Sequence, residues 1–162
     1  MSNLIANNIN GLAANSFANL LHVQDRKPAG TIGDSLGTGM NTRTINSIHY
    51  NGIAGASLSS NVVNLPAGNY FVQGFCVGDV MDQSKAILYN QTDSTELLIG
   101  QSLQSYDSGG GSSNYSVMGM ITLAAAKDII VRFHAGNAGY AGYSTSAGTD
   151  EIYLDLMFWK IA

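Results

Sequence analysis

From Leu20 onward the chain alternates short apolar stretches with turn residues. The stretches are 20–24, 44–50, 61–64, 69–77, 85–90, 97–100, 116–124, 128–134 and 151–161. Short strands punctuated in this way are the habit of sandwiches and barrels, and none of the stretches sustains a helical period. Leu65-Pro66-Ala67-Gly68 predicts a turn that ends one strand and launches the next, because proline fixes one backbone torsion and glycine supplies a positive one. Residues 90–96 predict a hairpin turn, and the Gly/Ser-rich segments 102–114 and 135–150 predict loops. Ahead of the strands, Ile5, Ile9, Leu12 and Phe17 stand at loosely helical spacing, interrupted by Asn7, Asn8, Asn10 and Gly11. The expected organisation is an N-terminal arm, 1–19, before one all-β domain, 20–162.

Two stretches are apolar on both parities. In 151–161, Ile152, Leu154, Leu156 and Phe158 alternate with Tyr153, Met157, Trp159 and Ile161, and only Asp155 breaks the second row. In 69–77, Tyr70, Val72 and Cys76 alternate with Phe71, Phe75 and Val77. A sandwich strand buries one face, so a second apolar face calls for a second cover. With no helical layer in the sequence, the simplest cover is another copy of the chain, as in an obligate oligomer.

Composition narrows the functions. Of 162 residues, 45% are hydrophobic and 11% charged, against roughly a quarter charged in an ordinary soluble domain. Gly, Ser, Thr and Asn replace the missing charge. A net charge of −4 with seven scattered Lys and Arg offers no basic stripe for a phosphate backbone, so nucleic acid is not an expected partner. Cys76 is the only cysteine, which leaves no intrachain disulfide and no thiol pair. The N-terminal region has no basic residue before an apolar run and no stretch of membrane-spanning length, so neither a signal peptide nor a membrane partner is expected.

Candidate chemistry is sparse. Gly33-Asp34-Ser35-Leu36 spells the nucleophile block of GDSL hydrolases, but the Asp-x-x-His that would supply the base is missing, since none of His22, His49 and His134 has Asp three residues before it. A hydrolase is therefore the weakest of the functional readings, and no catalytic residue is assigned. Asp79 and Asp82 share a loop without the ligand series of a calcium site, the histidines lack zinc spacing, and Gly30, Gly33, Gly37 and Gly39 lack the lysine ending of a phosphate loop. No metal and no cofactor is expected. Binding character belongs to the loop holding Tyr140 and Tyr143 among small residues, a mix suited to adaptable recognition, with a plain connecting loop as the alternative. Tyr106 is set similarly.

Residues 21–33 (LHVQDRKPAGTIG), Thr42-Arg43-Thr44-Ile45-Asn46, Leu65-Pro-Ala-Gly-Asn-Tyr70, Met118-Gly-Met-Ile-Thr122, Glu151-Ile-Tyr153 and Lys160-Ile161 together resemble the jelly-roll heads of phage fibre and virion surface proteins, themselves similar to the tumour-necrosis-factor and complement-head superfamily. The resemblance spans about 20–162. Asp34 departs from it where a second glycine is common, and Met40 where an aromatic is. It implies a TNF-like jelly-roll sandwich of about ten strands whose inner sheet packs around a threefold axis in a homotrimer. Parity then puts Tyr70, Val72, Leu154 and Leu156 in the sandwich core, and Phe71, Phe75, Tyr153, Met157 and Trp159 at the trimer seam. Arg132 and His134 are expected to line the seam too, or to form a satisfied structural pair. With no collagen-like stalk, signal or anchor in the sequence, the setting the resemblance implies is the virion surface of a bacteriophage, with a non-enzymatic capsid decoration or cement role. The partner would be the major capsid protein or another virion protein. The alternative is the receptor-binding head of a tail or head fibre, with a host-surface receptor or glycan held by Tyr140 and Tyr143.

Overall fold

The computed structural model describes residues 19–105 and 111–161. Most of the expected arm and Tyr106 lie outside the described residues. The described residues form fourteen strands: β1 (Leu20–Lys27), β2 (Ser35–Leu36), β3 (Gly39–Thr42), β4 (Ser47–Asn51), β5 (Ser57–Ser59), β6 (Val62–Leu65), β7 (Gly68–Asp79), β8 (Asp82–Asn90), β9 (Thr95–Ile99), β10 (Leu103–Ser105), β11 (Ser112–Leu123), β12 (Lys127–Ala135), β13 (Gly139–Tyr140) and β14 (Glu151–Lys160). Every apolar stretch of the sequence overlaps a strand, although residues 44–46 of the stretch 44–50 precede β4. The additions to that pattern, β2, β3, β5, β10 and β13, are short. Segments 102–114 and 135–150 are accordingly not loops throughout, because they hold β10, the start of β11, and β13. Pairing is made by backbone groups, so Gly and Ser join a ladder without advertising it in side-chain pattern.

Two sheets form the sandwich. In the first, β4, β1, β14, β7 and β11 lie side by side, and β13, bridging to β2, continues at the end of β7. In the second, β8 and β12 are central, flanked by β9 and β10 on one side and by β3, β6 and β5 on the other. All the pairings are antiparallel. The architecture is an all-β TNF-like jelly roll.

Strand alternation puts one row of each strand between the sheets. Tyr70, Val72 and Cys76 of β7, Leu154, Leu156 and Phe158 of β14, and Leu21 and Val23 of β1 meet Leu88, Val131 and Phe133 of the second sheet in one buried cluster. Gly74 keeps β7 and β14 close: a side chain there would run into Asp155 O and would stand 2.6 Å from Leu156 Cδ1. Tyr70 closes the predicted Leu65–Gly68 turn by donating its hydroxyl to Pro66 O at 2.7 Å. Burial raises the pKa of the Tyr70 hydroxyl and of the Cys76 thiol, which makes the thiol inert toward chemistry that needs a thiolate.

The sandwich has two ends. Leu20, Gly68, Leu123 and Ile161 mark the end where the chain enters β1, and Asp79, Ser112 and Tyr140 mark the opposite one.

Candidate interaction face

The outward row of the first sheet is assembled by register. Leu20, Trp159, Phe71 and Met120 stand side by side across β1, β14, β7 and β11, and the next level reads Tyr50, His22, Met157, Gln73 and Met118. The level after that reads Gln24, Asp155, Phe75 and Ser116. Phe71, Phe75, Met157 and Trp159 are half-buried, whereas Met118 and Met120 are 65% and 57% exposed. The Phe71 and Trp159 rings lie 5.8 Å apart, tilted at 35°, within the range of favourable aromatic pairs. Large apolar side chains thus line one face of the sheet, from buried Leu20 through the half-buried aromatic rows to the exposed Met118 and Met120.

A polar spot interrupts this face, and its carboxylate is satisfied from within the chain. Asp155 Oδ1 lies 2.8 Å from His22 Nε2, Asp155 Oδ2 accepts a 2.7 Å hydrogen bond from Gln24 Nε2, and the His22 and His49 rings meet edge-on at 4.8 Å. Asp155 is therefore compatible with a covered face, because both its oxygens have partners before any second chain arrives.

Three residues expected at the seam lie elsewhere. Tyr153 has the outward parity, yet it is buried within its own subunit. The backbone at Gly142 crosses its ring so closely that a side chain at Gly142 would stand 2.5 Å from it, and the Tyr153 hydroxyl donates to Thr31 O at 2.7 Å. Parity fixes the side of the sheet and cannot show that a distant loop folds over it. Burial, followed by the negative charges of Glu151 and Asp25, raises the pKa of this phenol. Arg132 and His134 belong to β12 in the second sheet, and Val131, Phe133 and Ala135 between them point into the core. Their side chains therefore leave the sandwich on the side opposite Phe71 and Trp159. They do not pair with each other either: the Arg132 guanidinium lies 3.4 Å above the Tyr89 ring, and His134 stands across from Lys85.

Sequence patterns missed Met118 and Met120 as members of the face, although the signal was present. In 116–124 apolar residues occupy both parities, as they do in 151–161.

Tyr140 and Tyr143 sit at the far end of the sandwich, exposed, with ring centroids 5.4 Å apart. Glu151 holds their loop: its carboxylate accepts from the backbone N–H of Thr145, Ser146 and Gly30 at 3.0–3.2 Å and from the Thr145 hydroxyl. The Thr145 backbone bond leads the causes that keep the Glu151 pKa below its usual value. A lowered carboxylate pKa stabilises the fold above the unfolded-state value and ceases to do so as pH falls through the folded value. Glu151→Gln is expected to speed amide exchange at Thr145 and Ser146 by about tenfold at neutral pH, since one neutral acceptor replaces a charged one. In the parent protein the same acceleration should set in only below the ordinary glutamate range, as read by hydrogen-exchange mass spectrometry.

The Gly33–Leu36 block is placed as a structural corner. Asp34 accepts from Lys27 Nζ at 2.8 Å and from the Thr44 hydroxyl at 2.5 Å, and these bonds lower its pKa, while Ser35 is exposed on β2. The aspartate is engaged in joining β1 to the segment after β3.

No family model matches this sequence, and no curated protein matches it. Among solved structures, the globular domain of a zebrafish complement 1qA protein is similar at a TM-score of 0.56 and 11% identity, over 89% of this chain and 98% of that one. Murine APRIL, in its pH 5.0 crystal structure, is similar at 0.52 and 14% identity, over 86% and 97%. Likeness at this level of identity shows the fold, and the fold that this chain shares with them is the TNF-like jelly roll.

Proposed function

We propose that this chain is a non-enzymatic structural module, a homotrimer on a virion surface, acting as a capsid decoration or cement protein of a bacteriophage. The carrying observation is the outward face of the first sheet, where Leu20, Phe71, Met118, Met120, Met157 and Trp159 adjoin in register. Side chains of this size and continuity favour association, and the outward oxygens of Asp155 already have partners. Threefold closure follows from the resemblance to virion jelly-roll heads. A ring around a threefold axis uses two different patches of one surface, and the face provides them as the half-buried aromatic rows of β7 and β14 and the exposed methionines of the edge strand β11.

In this reading the end carrying Leu20 faces the shell, residues 1–19 contact the major capsid protein, and the Tyr140 end points outward. Cross-linking of shell subunits by burial stabilises the particle by mass action without chemistry. The test is quantitative mass spectrometry of purified particles, with antibody labelling in electron micrographs. Decoration predicts a copy number comparable with that of the capsid subunit and label over the whole shell.

A second reading, the receptor-binding head of a fibre, draws on the exposed Tyr140–Tyr143 pair at the end away from Leu20. Low copy number and label confined to tails or fibre tips would select it.

A further inference from the structure

The second sheet carries a cleft, rimmed by polar side chains, on the side of the sandwich away from the apolar face. Its volume is about 440 Å³, and Gln83, Lys85, Ser102, Leu103, Gln104 and His134 are among its lining residues. Register explains the grouping. His134 of β12 stands opposite Lys85 of β8, and Gln83 of β8 stands opposite Gln104 of β10. Antiparallel continuation past Leu103–Ser84 brings Ser102 beside Lys85. Leu103 packs partly against the core and gives the cleft an apolar spot.

The charge of the cleft is unusual for this chain. Arg26, Lys27 and Lys127 are in ion pairs with Asp150, Asp34 and Asp93, Arg43 is buried, Arg132 lies on Tyr89, and Lys160 ends β14 in the other sheet. Among the described residues no carboxylate lies within ion-pair distance of Lys85. The nearby Asp82 directs Oδ1 to Gln104 Nε2, at 3.0 Å. An ammonium and an imidazole thus share a concave site with two amide side chains and a hydroxyl, in a protein of net charge −4.

We infer that this cleft binds a carboxylate-bearing saccharide of the uronic acid class. Lys85 meets the carboxylate, with His134 as the second nitrogen. The amides of Gln83 and Gln104 both donate and accept, which suits vicinal sugar hydroxyls and exceeds what a bare anion needs. The one lysine of the cleft favours a sparsely charged glycan over a dense polyanion, which the overall negative charge repels. The cleft lies on a different face from the seam, so the inference stands whether or not the trimer forms.

The test is isothermal titration of the full chain with trigalacturonate and with the neutral galactose trimer, alongside Lys85→Gln and Gln104→Ala. Saturable binding of trigalacturonate is expected at millimolar concentration or below, with a loss of at least about tenfold in Lys85→Gln, a smaller loss in Gln104→Ala, and much weaker binding of the neutral sugar. Lys85 is half-buried and points away from the core, so Lys85→Gln should keep the parent's circular dichroism and solution mass. Equal binding of the neutral trimer, an unchanged affinity in Lys85→Gln, displacement by an equal concentration of inorganic phosphate, or no binding of trigalacturonate would each overturn the assignment.

Discussion

Trp159→Glu is expected to convert a particle of three chain masses into a single 17.0 kDa chain that keeps its β-sheet circular dichroism. Trp159 is the only tryptophan, it is half-buried in the isolated subunit, and it stands between Leu20 and Phe71 in the first row of the outward face. Its substitution leaves the sandwich interior untouched, because Phe158 and Leu156 are the core-facing members of the strand. A buried aromatic at the centre of an interface commonly contributes about 2–4 kcal/mol, and a threefold ring repeats each contact, so a carboxylate placed there should abolish assembly at micromolar concentration. Light scattering over a dilution series measures the mass. The parent protein supplies a second readout: emission from the same tryptophan should shift to the red as dilution uncovers the face. His134→Glu, on the opposite side of the sandwich, should leave the mass unchanged. A parent protein that is already monomeric at high concentration would sink the trimeric reading, and a trimer that survives Trp159→Glu would move the seam elsewhere.

The fold was legible because period-two alternation is local. Each strand long enough to show it was found, and residues such as Tyr70, Val72, Leu154 and Leu156 lie in the buried interior where parity puts them. The two-faced pattern of β14 was legible for the same reason. Contacts made by distant chain were not. Tyr153 has the parity of the outward face, but Gly142 and Thr31 reach it from other parts of the sequence. Arg132 and His134 alternate with core residues as a seam strand would, and alternation carries no information on which of two sheets holds the strand. The cleft is not legible in the sequence, because Lys85 of β8, Ser102 just before β10 and His134 of β12 are brought together only by the register. Arg43 left no trace either, since a buried cation and a surface cation read alike in a sequence.

That arginine carries the largest expected effect on stability. Arg43 lies where the chain crosses from β3 of the second sheet to β4 of the first, is wholly buried, and packs 5.4 Å from the Phe133 ring centroid. Its guanidinium donates to Val77 O at 2.5 Å, Tyr153 O at 3.2 Å and Ala141 O at 3.4 Å, fastening β7, β14 and the segment after β13 around one cation. Asp25, also shut off from solvent, feels its charge. Burial raises the Asp25 pKa, and Lys27 and then Arg43 oppose that rise. Arg43→Met fills much of the volume but leaves three carbonyls without their donor and a buried carboxylate with less compensation. The expected loss is about 3–5 kcal/mol, read as a lower midpoint in urea unfolding. The pH dependence identifies the cause. A carboxylate whose folded pKa is raised destabilises the native state progressively as pH climbs from the unfolded value through the folded one. Without Arg43 the folded value rises further, so Arg43→Met should lose more stability between acidic and neutral pH than the parent does. Adding Asp25→Asn removes the ionisation, and the double variant should then lose less than the sum of its single changes at neutral pH. Strict additivity with an unchanged pH profile would show that Arg43 acts through its three carbonyls alone.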